Sequence, residues 1–94
     1  MKRYVIERDF PGAGNLSAAE LHGIATTSNA VIRAMGPGIQ WEQSYVTGNR
    51  IYCVYLAENE AMIREHAKRG GFPCTNVNAV ATVLEPLSEV TLAS

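Results

Sequence analysis

The chain has 94 residues, 47% of them apolar and 18% charged, with a net charge of −1 and a pI near 6.1. That is enough for one small core, but not for the basic stripe that nucleic-acid binding uses, and no apolar run approaches the roughly 20 residues of a membrane span. The opening MKRYVIERDF carries charges throughout and has no signal-peptide core, so the cytoplasm is the expected compartment, with Cys53 and Cys74 as free thiols.

In chain order, RYVIERDF (3–10) alternates, with Tyr4, Ile6 and Phe10 on one parity and Val5, Glu7 and Asp9 on the other. This predicts a half-buried strand, which PGAGN (11–15) interrupts. Ser17-Ala18-Ala19-Glu20 forms a capping box, in which hydroxyl and carboxylate each satisfy a backbone donor that the new helix leaves free. The helix carries Leu21, Ile24, Ala25, Ser28, Val31, Ile32 and Met35 at helical spacing and stops at Gly36-Pro37-Gly38. IQWEQSYV (39–46) and RIYCVYLA (50–57) read as two strands joined by a short primed turn at Gly48-Asn49. Asn59 caps a second helix that places Ile63, His66 and Ala67 on one face and closes at Gly70-Gly71. NVNAVATVLE (76–85) predicts a fourth strand ended by Pro86. The tail, residues 87–94, either adds a short fifth edge strand through Val90 and Leu92 or stays unpaired.

The order β-α-β-β-α-β specifies the α+β, ferredoxin-like fold: a four-stranded antiparallel sheet with two helices on one face, over residues 1–86. Right-handed crossovers place strands one and three in the centre.

With Gly48 and Asn49 as the turn, Thr47 pairs with Arg50 and the register steps outward. Paired residues share a face. One face holds Trp41, Gln43, Tyr45, Tyr52, Val54 and Leu56; the other holds Glu42, Ser44, Val46, Ile51, Cys53 and Tyr55. The first set is bulkier and is expected to meet the helices. The second is too apolar for open water, so Ser44, Ile51, Cys53 and Tyr55 are expected to face a second copy in a homodimer.

This register places Gln43 and His66 inside the domain with Trp41 and Tyr45 nearby. These four residues could form an aromatic-lined pocket with one ionisable group; the alternative is a buried histidine satisfied by an amide or a carbonyl. Glu7 and Asp9 would share a sheet face with Glu42, Ser44 and Cys53, a donor set for nickel or zinc, although such carboxylates also pair readily with Arg8, Arg50 or Arg64. His22 groups with Thr26, Asn29 and Arg33 on the outer side of the first helix, as a solvated residue or a surface metal ligand. Cys74 has no basic neighbour in sequence and reads as an inert thiol. A phosphate loop, GxSxG and HExxH are all absent, and the register sets Cys53 on the opposite sheet face from His66, against a catalytic pair.

The segments YVIERDFPG (4–12), WEQSYVTGNRIYCVYLA (41–57), REHAKRGGFP (64–73) and the strand ending at Glu85-Pro86 resemble a family of small bacterial nickel-binding proteins, formerly catalogued as a domain of unknown function. The resemblance implies dimers of ferredoxin-like subunits that bind Ni²⁺ at the dimer surface, with sequestration as the role, rather than in a catalytic pocket. His66 falls in the family's Arg-Glu-His-Ala segment. Relatives typically read Trp-x-His-Ser-Tyr-Val where this chain has Gln43, a poorer ligand for a borderline metal than imidazole. The leading expectation is a non-enzymatic homodimer that binds divalent metal through His66, His22 and Glu7. The alternatives are a small-ligand protein or enzyme of the dimeric α+β barrel type, built around Trp41, Tyr45 and His66, and a purely structural or regulatory dimer.

Overall fold

The computed structural model describes residues 1–87. Strand β1 (Lys2–Asp9) leads through a 3₁₀ turn (Ala13–Asn15) into helix α1 (Ala18–Met35). Strands β2 (Ile39–Val46) and β3 (Arg50–Ala57), helix α2 (Glu60–Gly70) and strand β4 (Asn76–Ala79) follow. The sheet order is β2-β3-β1-β4, antiparallel throughout. This is the ferredoxin-like arrangement expected from the element order, with β1 and β3 central.

Local chemistry sets the helix ends. Glu20 N–H donates to Ser17 Oγ at 3.1 Å and Ser17 N–H donates to Glu20 Oε1 at 3.0 Å, completing the capping box. Asn59 Oδ1 accepts from Met62 N–H at 3.0 Å and starts α2. The helix stops at Gly71, whose φ of 70° is costly for any residue with a Cβ.

The β2–β3 turn departs from expectation. Neither Gly48 nor Asn49 has a positive φ, so the turn is not of the primed type. Thr47 N–H and Oγ1 both donate to Arg50 O, at 2.9 and 2.7 Å, and the segment that follows β1 holds the turn from the other side. Phe10 N–H donates to Asn49 O, Gly12 N–H to Asn49 Oδ1 and Gly14 N–H to Gly48 O, each at 3.0 Å. A Cβ at position 14 would lie 3.1 Å from Gly48 Cα, so any side chain there would push this clasp apart by a few tenths of an ångström.

The fourth strand is shorter than expected, four residues in place of ten. It pairs with β1 from Glu7 to Tyr4, and Val80 N–H donates to Arg3 O at 2.9 Å. β1 begins at Lys2, so almost no partner backbone remains beyond Val80. Val90 and Leu92 lie outside the described residues.

β1 sets which sheet face is covered. Tyr4, Ile6 and Arg8 pair with Tyr55, Cys53 and Ile51, and all six are buried. With Ile39, Ala57, Ile63 and Ala67 they form the centre of the molecule beneath the helices. The cross-strand pairs expected for the hairpin are present from Val46–Ile51 to Gln43–Val54. The face assignment is the reverse of the expectation. Ile51, Cys53 and Tyr55 pack under the helices, whereas Tyr52, Val54 and Leu56 lie on the open face with Gln43 and Tyr45. A bulge between Trp41 and Gln43 shifts the register by one, so Trp41 pairs with Tyr55 and joins the covered side.

Candidate functional site

Between α1 and the β2–β3 end of the sheet is a cavity of about 230 Å³. Its walls are Leu21, Ile24, Ala25 and Ser28 of α1, Trp41, Ser44 and Val46 of β2, and Ile51, Cys53 and Tyr55 of β3. Arg8 and Phe10 close one side, and Phe72 and Pro73, after α2, another. Along α1 only Ser28 is fully buried. Leu21, Ile24 and Ala25 are half-buried and border this space.

Two polar clusters lie in or behind the walls; the second reaches the cavity through Ser28 and Tyr55, and His66 itself does not line it. Arg8 is 4% exposed. Its Nη1 donates to Pro73 O at 2.6 Å and its Nε to Cys53 Sγ at 3.4 Å, while Nη2 has no partner among the described residues. The guanidinium lies 5.5 Å from the Phe72 ring centre and 5.9 Å from that of Tyr55, within range of cation–π attraction. Cys53 Sγ also accepts from Ser44 Oγ at 2.9 Å, and Ser44 Oγ accepts from Trp41 Nε1 at 2.9 Å.

The second cluster is His66, Ser28 and Tyr55. Ser28 Oγ is 3.1 Å from His66 Nε2 and 3.3 Å from Tyr55 OH, so one hydroxyl links two elements to the sheet. The His66 ring is tilted on Tyr55 at 5.1 Å and stacked on Phe72 at 5.6 Å. His66 has no exposed surface, and Nδ1 has no partner among the described residues. Burial, then the positive charge of Arg8, lowers the imidazole pKa to about 4, against an opposing contribution from Ser28. His66 is therefore neutral at physiological pH. Burial also raises the Tyr55 phenol, which stays protonated.

The structure separates the residues that the sequence grouped. Trp41 and His66 are on the covered side, where Trp41 stacks on Tyr55 at 6.4 Å. Gln43 and Tyr45 are not in this pocket: they hydrogen-bond to each other on the open face and are exposed. Ile51, Cys53 and Tyr55, expected to face a second copy, are in the core instead, and Ser44 is half-buried against Cys53. The cause is the pairing of β3 with β1, which hairpin register alone does not contain. Pocket residues that the sequence reading missed are Arg8, Phe72 and Pro73. Arg8 had a usable signal, since it shares the parity of Tyr4, Ile6 and Phe10.

The metal candidates are also dispersed. Glu7 is on the open face 3.6 Å from Arg50, which pairs at 2.8 Å with Asp9, so these carboxylates are engaged by arginine. His22 is exposed on α1. Among the described residues no three His, Cys, Asp or Glu side chains approach closely enough to hold an ion. A closed nickel centre inside one copy does not fit this donor arrangement.

A family model described as "Nickel responsive protein SCO4226-like" matches residues 4–80. Among solved structures, one described as SCO4226 from Streptomyces coelicolor A3(2) matches with a TM-score of 0.73 and 15% identity, over 87% of this chain and 99% of that one. At that identity the likeness is one of fold. No curated protein matches the chain.

Proposed function

This chain belongs to the SCO4226-like family of nickel responsive proteins, and from that premise we propose that it is a non-enzymatic, dimeric protein that binds divalent metal, nickel foremost, at its surface. The contrast between the two imidazoles supports the surface placement: His22 is exposed, and His66 has no exposed surface. An ion arriving from solution meets His22 without disturbing the fold, whereas reaching His66 requires opening the core and competing with Ser28. Imidazole is the donor in this chain best suited to a borderline ion, and a second copy or water completes the shell. Glu7 contributes only by exchanging Arg50 for the ion.

The dimer reading rests on the open sheet face. Val5, Tyr52, Val54 and Leu56 form a half-buried apolar strip there, bordered by Arg3–Glu42 and Glu7–Arg50–Asp9 ion pairs. Such a strip with a charged rim suits isologous packing of two copies. These residues replace Ser44, Ile51, Cys53 and Tyr55 as the proposed interface. Gln43 lies on the same exposed face, so a histidine at that position would be a surface ligand near the interface. Both cysteines are free thiols, as suits the proposed cytoplasmic location.

Calorimetric titration of the untagged protein with NiCl₂ is the test. The expected result is saturable binding that His22→Ala weakens and His66→Gln leaves in place. Binding no tighter than roughly millimolar, or binding indifferent to His22→Ala, would sink the proposal.

A further inference from the structure

We propose that the cavity beneath α1 binds a small apolar monocarboxylate, such as an arylacetate, with Arg8 as the residue that holds its charge. This site is separate from the proposed surface metal site, and neither depends on the other.

Size and lining set the body of the ligand. The cavity, about 230 Å³, exceeds the roughly 150 Å³ engineered cavity that takes up benzene. It has room for an aromatic ring with a short polar extension. Its walls are mainly aliphatic and aromatic, with Trp41, Tyr55 and Phe72 offering ring faces and Leu21 and Ile24 supplying the opposite wall.

Charge sets the head group. A guanidinium keeps its proton at any physiological pH, and burying it without an anion is costly. Arg8 is 4% exposed, yet among the described residues it makes no ion pair. The two groups that accept its hydrogen bonds, Pro73 O and Cys53 Sγ, are a neutral carbonyl and a thiol. Nη2 remains without a partner. The arrangement lacks one negative charge; because Nη2 has almost no accessible surface as it stands, a carboxylate in the cavity supplies that charge and pairs with the planar guanidinium when the Arg8 side chain turns toward it. A phosphate fits less well, because its further oxygens would meet apolar walls with no donors to spare. His66 is not the anchor: it is neutral, and its Nε2 is engaged by Ser28.

The test uses the full-length untagged protein and two probes of nearly equal shape, sodium phenylacetate and neutral phenylacetamide, titrated by ¹H–¹⁵N NMR. The expected result is saturable binding of phenylacetate that perturbs the Trp41 indole N–H, with phenylacetamide weaker by about tenfold or more, the usual scale for a hydrogen bond to a charged group. Arg8→Met should abolish that preference. Ala25→Leu, which fills the cavity and leaves Arg8 in place, should abolish binding of both probes. The proposal is overturned if the two probes bind equally, if the preference survives in Arg8→Met, if Ala25→Leu binds like the parent, or if phenylacetate does not bind up to roughly 10 mM. Should Arg8→Met fail to fold by circular dichroism, the parent's selectivity and Ala25→Leu decide the matter.

Discussion

Replacing His66 by glutamine should remove a specific part of the protein's acid sensitivity. The imidazole has no exposed surface, and its pKa is lowered to about 4, chiefly by burial and then by Arg8. In the unfolded chain it titrates near 6.5. A group depressed in the folded state binds fewer protons there than in the unfolded state, so stability falls as pH drops through this window. The contribution is intact above about pH 6.5, is lost progressively on acidification, and levels off below about pH 4. At about 1.4 kcal/mol per pH unit, the loss is about 2 kcal/mol between pH 7 and pH 5 and about 3 kcal/mol by pH 4. Glutamine retains an amide that can reach Ser28 and does not titrate. Urea unfolding of both proteins from pH 7 to pH 4 isolates the effect, because carboxylates shared by the two cancel in the difference. The stability advantage of the parent should shrink by about 3 kcal/mol across that range. A difference that stays flat would refute the reasoning, since His66 would then titrate as though exposed.

Three further outcomes are expected. Val54→Arg, on the open sheet face, should convert the proposed dimer to a monomer in multi-angle light scattering while shifting the melting temperature by only a few degrees; a dimer that survives would move the interface elsewhere. Gln43→His should tighten nickel binding by about tenfold in calorimetry, since imidazole replaces an amide at an exposed position; unchanged affinity would remove position 43 from the metal site. Ser17→Ala deletes the side-chain acceptor of the α1 capping box and should cost about 1 kcal/mol in urea unfolding, leaving nickel binding unaltered.

The parts of the fold that depend on short-range chemistry were legible in the sequence. The Ser17–Glu20 box, the Asn59 cap and the Gly71 stop all function as their residue types dictate, and the hairpin pairs follow from the turn as far as Gln43–Val54. The face of that hairpin was not legible. Bulk favoured Trp41, Tyr45 and Tyr52 as the covered set, but the covered face is set by the pairing of Ile6 with Cys53 and Tyr4 with Tyr55. That pairing joins strands more than forty residues apart and leaves no local mark in the sequence. The bulge at Glu42 then moves Trp41 across to the covered side. The candidate site followed the same pattern. His66 was recognisable from its spacing to Ile63 as a helix face turned inward. Arg8 reads from the sequence as a partner for the β1 carboxylates, but its parity with Tyr4 and Ile6 buries it away from them without an ion pair among the described residues, and that buried charge gives the cavity its chemistry.

The most direct test of the surface-metal reading is a crystal structure of the untagged protein soaked in nickel, with anomalous data collected at the nickel edge. The expected map shows nickel bound to His22 at the surface of a dimer, with His66 Nε2 still against Ser28. A peak inside the fold on His66, or no peak at either imidazole, would contradict it.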